Sequence, residues 1–388
     1  MPDWSQLRQQ FPSLKSPKGA ADTAAGGFPE GWTYLDTASF GQIPVCASAA
    51  MIEHLTHRDQ TASSQFMSWF DDIDALRDAC AQLIHCERSD IAFVPSASIG
   101  LSYLMNGITW NSGDEVLTLS DDFPNQLYQG PLASRFGVLF RAVPWPEFYS
   151  SITERTRLVL LSTINYATGF RPPLEEIASY LRERRILLYL DGTQSLGALQ
   201  FDVGQIRPAM FCVDAYKWML SPNGAGFIYV DPELRRHLKP SVVGWRSDFG
   251  WRQVNQLNHA DPVFADSAEK YEGGMLCFPS LYAMRAVVSL LLEIGPHLIE
   301  ARVLELASKT RAMLRDFGAQ VNADNSQIVT ARVPNLDSGE TARFLKQNHI
   351  VISARHGRLR VSPHFYNNED DIESLRLSLR AARASIRI

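Results

Sequence analysis

The sequence contains no apolar stretch of membrane-spanning length, no tract of lysines and arginines, no CxxC cysteine pair and no GxGxxG fingerprint. Each absence excludes a class of protein. Without an apolar run of about 18 residues no helix can cross a bilayer. Met1 to Arg8 also lacks the basic end and apolar stretch of a secretory leader, so a cytoplasmic chain without a membrane partner is expected. With 42 acidic and 37 basic residues the net charge is -5, which leaves no electrostatic footprint for a nucleic-acid partner. Five cysteines, Cys46, Cys80, Cys86, Cys212 and Cys277, are scattered and odd in number, which argues against a disulfide framework or zinc ribbon. Gly224-Ala225-Gly226 fails the dinucleotide spacing, which removes a nicotinamide-dependent oxidoreductase. His54 and His57 lack the further ligands that a metal needs, so no metal site is expected.

What is present is a chain of 388 residues, 45% of them hydrophobic, enough to bury a large core in two or more domains. Short apolar runs at 91–94, 115–119, 158–162, 187–190, 211–213 and 226–230 read as strands. Helical patterns at 99–108 and 173–184 lie between them. This alternation predicts an α/β fold with a mostly parallel sheet covered by helices on both faces. After about residue 255 the rhythm changes to long helices at 281–292 and 298–314, then strands at 329–333 and 358–362 around a helix at 341–347. A last helix is capped by Asn368 and Asp371. We expect a large domain over 34–255, a smaller α+β domain over 256–388, and an N-terminal segment, 1–33, packing near the small domain.

Two of the strands end abruptly in polar groups. Leu187-Leu188-Tyr189-Leu190-Asp191 runs into Gly192-Thr193-Gln194, and Cys212-Val213-Asp214 runs into Ala215-Tyr216-Lys217. Buried parallel strands deliver side chains to a site at their carboxyl ends in this way. An amine and a carboxylate at one such site match the needs of pyridoxal 5'-phosphate chemistry. A lysine forms a Schiff base with the coenzyme aldehyde, and an acid keeps the pyridine nitrogen protonated. Lys217 and Asp191 are the candidates for these roles.

Other stretches fit the same chemistry. Ser96-Ala97-Ser98 precedes a helix, where free backbone N–H groups either bind a phosphate or are satisfied by a serine cap. Phe123 follows a strand and either stacks on a coenzyme ring or joins the core. Asn165 to Thr168 and Gly169 form a tight turn whose amide is placed to bond the coenzyme or substrate. Gln194 is placed to donate to the coenzyme's phenolate oxygen. Thr37 to Gly41 is a run of small residues, suited either to a ligand approaching the backbone or to an ordinary turn.

Taken jointly, Asp-x-x-Gln, the later Tyr-Lys, the Ser-Ala-Ser loop and Arg360-Val361-Ser362 followed by Tyr366-Asn367 resemble the class-V aminotransferase family. That family includes cysteine desulfurases, kynureninases, isopenicillin N epimerase-like proteins and transaminases. The resemblance implies an aminotransferase of fold type I that uses pyridoxal 5'-phosphate on an α-amino acid, working as a homodimer. It implies that Lys217 and Asp191 are catalytic and that Ala97, Ser98, Phe123, Asn165, Thr168, Gln194, Tyr216 and Trp245 bind the coenzyme. It further implies that Arg360, with Ser39, binds the substrate carboxylate. Gly274 and Met275 replace the family's Gly-Thr contact to the neighbouring subunit's phosphate. Val351 to Arg358 has no persulfide-forming cysteine, which disfavours a desulfurase. Aminotransfer stands first, with β-elimination of a C–S bond, kynureninase-like Cβ–Cγ cleavage and epimerisation as alternatives.

Overall fold

A computed structural model describes residues 2–14, 31–257, 261–322 and 326–385. Its centre is a seven-stranded sheet. In chain order the strands are β1 (Ile91–Val94), β2 (Glu115–Leu119), β3 (Leu139–Val143), β4 (Thr156–Ser162), β5 (Leu187–Asp191), β6 (Met210–Asp214) and β7 (Gly226–Val230). Their spatial order is β1-β7-β6-β5-β4-β2-β3. Only β7 runs against its neighbours β1 and β6; the other pairings are parallel. β4, β5 and β6 lie inside the sheet with helices on both faces, which is why they read as unbroken apolar runs.

Because β4, β5 and β6 are in parallel register, Ser162 pairs with Asp191 and Asp191 with Cys212. Their carboxyl ends therefore open on one edge, and the loops after them meet there. The predicted sheet is found, with one strand added. β3 escapes the sequence pattern because it is an edge strand left open to solvent, with Leu139 exposed and Arg141 half-buried in the middle of it, whereas the other edge strand, β1, is buried along its whole length.

The predicted helical run from Ala47 to His85 is two helices, Val45–Gln60 and Ser68–Ile84. They are separated where Ala62 and Ser63 take left-handed backbone conformations. Helix Phe278–Ile294 packs against both of them, and Phe278, Leu281, Met284 and Val288 join the core beneath the large sheet. Helix Pro296–Asp316 leads from there to a four-stranded antiparallel sheet. That sheet has the order 353–355, 358–361, 329–332, 320–321 and is backed by helices Ser338–Gln347 and Glu369–Ser385. The last helix begins with the expected cap. Asn368 Oδ1 accepts from the Asp371 amide at 3.1 Å, and Asp371 Oδ2 accepts from the Asn368 amide at 3.2 Å.

The first helix, Trp4–Arg8, docks on the C-terminal portion. Arg8 Nη1 donates to Asp371 Oδ2 at 2.8 Å and to the Tyr366 carbonyl at 2.7 Å, while Phe11 packs on Phe365 and Tyr366. Thr33–Tyr34 pairs in parallel with Ile350–Val351. This pairing draws Asp36 and Ser39 toward the antiparallel sheet that carries Arg360. Among the described residues no helix is long and apolar enough to cross a membrane, and no cluster of His, Cys, Asp and Glu is set to hold a metal.

Candidate active site

The site forms where β5 and β6 end. Asp191, the last residue of β5, is buried. Its Oδ1 accepts from the Thr193 amide at 2.9 Å and its Oδ2 from Gln126 Nε2 at 3.3 Å. Lys217 lies in the turn after β6 and is only 7% exposed. Its Nζ makes no hydrogen bond to any described residue and sits 5.2 Å from the centre of the Phe123 ring and 5.5 Å from that of Tyr216. Burial lowers its pKa to about 8, against the pull of Asp191 in the other direction. Phe123, Tyr166, Asp191, Gln194, Tyr216 and Lys217 line a single recess.

Several sequence-predicted residues meet here, and others have work elsewhere. Gln194 lines the recess, yet one of its N–H groups already donates to the Ala38 carbonyl at 3.0 Å and its Oε1 accepts from Trp218 Nε1 at 2.9 Å. A single N–H of Gln194 is left for a ligand. Asn165 is committed to its own turn: Oδ1 accepts from the amides of Ala167 and Thr168, both at 2.9 Å, and Nδ2 donates to the Asp121 carbonyl at 2.8 Å. Thr168 Oγ1 accepts from the Phe170 amide at 3.1 Å. Trp245 packs edge-on against Phe70 and Trp251, outside the recess. Tyr216 stands over Phe40, 5.0 Å between ring centres.

The glycine at position 41 is explained by the chain itself. The Gly41 amide donates to the Tyr216 carbonyl at 2.9 Å, and a Cβ there would fall 1.9 Å from the Lys217 carbonyl oxygen. The backbone that approaches at Gly41 is that of the lysine turn.

Ser96 caps the helix Ala97–Gly107, its Oγ accepting from the Ile99 amide at 3.4 Å and contacting Ser98 Oγ at 2.9 Å. The Ala97 amide instead donates to Asp214 Oδ1 at 2.8 Å. Burial, with Asp191 nearby, pushes the Asp214 carboxyl up to about 6. Sequence reasoning missed Asp214, although it ends β6 as Asp191 ends β5. It also missed Asp122, which accepts from the Phe123 amide at 2.6 Å and from Ser162 Oγ at 2.5 Å and so fixes the turn carrying Phe123. Burial raises the Asp122 carboxyl to about 6 as well.

Arg360 is 1% exposed. Its Nε donates to Ser353 Oγ at 3.0 Å, Nη1 to the Tyr166 carbonyl at 2.7 Å, and Nη2 to Asp36 Oδ1 at 3.1 Å and Ser39 Oγ at 2.6 Å. The guanidinium is thus clamped in place, with one Nη1 hydrogen uncommitted.

The profile of the class-V aminotransferases matches residues 33–385. The chain belongs to this family, whose enzymes depend on pyridoxal 5'-phosphate. Among its relatives, the aminotransferase YcbU of Bacillus subtilis, itself uncharacterised, is 26% identical over 84% of this chain and 90% of its own. Isopenicillin N epimerase of Streptomyces clavuligerus is 25% identical, covering 77% of this chain and 81% of the relative. Among solved structures, the cystine C–S lyase C-DES superposes with a TM-score of 0.82 at 21% identity, over 90% of this chain and 97% of that one. The cysteine desulfurase CsdA of Escherichia coli gives 0.84 at 18% identity over 100% of both chains. These structural likenesses establish fold type I for this class-V chain.

The residues present fit the coenzyme of the family. A buried amine without a hydrogen-bond partner stands in the same recess as a buried carboxylate, and an aromatic ring lies beside both. An unpaired amine is costly in a purely structural role, and it is what an aldehyde requires.

Proposed function

We propose that this class-V enzyme transfers the amino group of an α-amino acid, with Lys217 as covalent anchor and proton carrier. When bound, pyridoxal 5'-phosphate supplies an electron sink for the bond broken at the substrate Cα. Asp191, locked by Thr193 and Gln126, is held ready to keep a pyridine nitrogen protonated. Arg360 receives the substrate α-carboxylate with Ser39 beside it. Ala97 and Ser98 are assigned to the phosphate end, and Phe123 and Tyr216 flank the amine.

The observation that carries this reading is the lone amine of Lys217. Its burial leaves roughly a tenth of it unprotonated at pH 7 and about half at pH 8, far more than an exposed lysine offers, and that is the state able to attack an aldehyde and accept a proton. The side chain on its flank, Phe123, cannot transfer a proton, so the proton work there falls to Lys217. No cysteine occurs between Val351 and Arg358, so a desulfurase route that leaves a persulfide on the enzyme lacks its nucleophile there.

A homodimer is part of the proposal. Val242, Val243, Phe249 and Met275 are exposed apolar side chains, and the Arg246 amide donates to the Gly273 carbonyl at 3.0 Å, joining the segments that bear them. Such a patch is suited to burial against a second copy. A cytoplasmic location is proposed with it.

Incubation with a panel of amino acids, following α-keto acid, ammonia and the coenzyme spectrum, tests the reaction type. Keto acid formed with conversion of the coenzyme to its amine form supports aminotransfer. Stoichiometric ammonia with the aldehyde form retained contradicts it in favour of elimination.

A further inference from the structure

Ser39 Oγ is shared by two arginines: Arg360 Nη2 donates to it at 2.6 Å and Arg355 Nη2 at 3.3 Å. The two guanidiniums differ in every other respect. Arg360 is buried and its charge is balanced by Asp36 at 3.1 Å. Arg355 is half-buried, its Nη1 donates to the Ala354 carbonyl at 2.9 Å, and among the described residues it forms no ion pair with a carboxylate. Its charge still reaches the recess, since it acts with Arg360 to disfavour the protonated form of Lys217.

The neighbouring groups are donors too. His356 holds a left-handed conformation at φ 49°, and its Nε2 lies 3.1 Å from the hydroxyl of Tyr166. Tyr166 lines the recess and meets the Phe123 ring edge-on, 5.1 Å between centres. If the α-carboxylate of a substrate takes Arg360, a second, uncompensated fork remains within the same cluster, bridged to the first through Ser39. A planar guanidinium without a counter-charge beside a ligand recess is suited to a second carboxylate.

We propose that the substrate is an amino acid with an acidic side chain, its distal carboxylate held by Arg355 with His356 and Tyr166 alongside. This rests on the proposed function, because it needs an amino acid seated at Arg360. Neutral side chains leave Arg355 to solvent, so discrimination turns on charge and little on size.

The test titrates coenzyme-loaded protein with two isosteric pairs, aspartate against asparagine and glutamate against glutamine, and reads the coenzyme absorbance. The acid of at least one pair is expected to bind about tenfold to hundredfold tighter than its amide, the range of one charge-assisted two-pronged contact. In Arg355→Gln that ratio is expected to fall to about one, and in Arg355→Lys to be partly kept. Equal binding of acid and amide by the native protein overturns the inference. So does a ratio that survives in Arg355→Gln with both ligands weakened alike, because Arg355 would then only position Ser39. A protein that takes up no coenzyme overturns the proposed function and this inference together, whereas one that loads and ignores side-chain charge overturns this inference alone.

Discussion

Replacing Lys217 with Met is expected to stabilise the coenzyme-free protein. Burial lowers the lysine from 10.5 to about 8 in the folded chain. Each tenfold loss of proton affinity corresponds to about 1.4 kcal/mol, so holding the charged form folded costs about 3 kcal/mol at pH 7. The cation lies over the Phe123 and Tyr216 rings at 5.2 and 5.5 Å, which returns about 1 kcal/mol. The balance is a gain of roughly 2 kcal/mol for Lys217→Met at neutral pH. The sign with pH follows from proton counting. Between about 8 and 10.5 the unfolded chain holds a proton that the folded chain has released, so native stability rises with pH across that window. Lys217→Met removes this slope. Urea unfolding of both proteins without coenzyme, at several pH values from 7 to about 10.5, measures the difference directly. A variant less stable than the native protein at pH 7, or one whose advantage does not shrink as pH rises, would refute the reasoning.

Asp191→Asn keeps an acceptor for the Thr193 amide but loses the charge and turns an N–H toward Gln126 in place of the second oxygen. We expect a folded protein that still loads coenzyme, with turnover down by about a hundredfold or more, checked by steady-state rates against coenzyme content. Asp214→Asn preserves an acceptor for the Ala97 amide while removing a carboxylate that ionises near pH 6. At pH 7.5 it is expected to bind coenzyme several-fold tighter than the native protein, with the advantage vanishing below pH 6; unchanged affinity at both pH values would contradict this. Glu272 is buried between Arg77 at 2.7 Å and Arg246 at 2.8 Å and accepts from the Phe93 amide at 2.8 Å. Burial alone would raise its carboxyl, but the two arginines hold it low. Glu272→Gln removes the buried anion between them, leaving Arg246 with Glu269 at 2.6 Å and Arg77 with Asp74 at 3.6 Å and Glu269 at 3.9 Å, and is expected to cost about 3 kcal/mol, read from the urea midpoint.

The large sheet was legible because its central strands are buried on both faces and read as plain apolar runs. β3 was not, because an edge strand with an arginine in its middle resembles a loop. The break after Gln60 carries neither proline nor glycine, so nothing local announced it. At the site, Asp191 ends a strand and Gln194, Lys217 and Phe123 lie three or four residues beyond one, which is why the sequence pattern singles them out as candidates. Asn165 was read as a ligand-facing amide, whereas its oxygen closes the turn that Gly169 completes at φ 75°. Asp214 and Asp122 went unseen because their partners, the Ala97 amide and Ser162, are set by tertiary placement. The Arg360 clamp likewise needed Asp36 and Ser39, brought from more than 300 positions away in sequence.

The account stands on the amine of residue 217 being the anchor for the coenzyme aldehyde. Borohydride reduction of the loaded protein, followed by peptide mass spectrometry, tests it most directly. The expected result is a phosphopyridoxyl tag on the peptide carrying Lys217 and on no other. An untagged Lys217 peptide, or a tag on Lys239 or Lys270 instead, would contradict it.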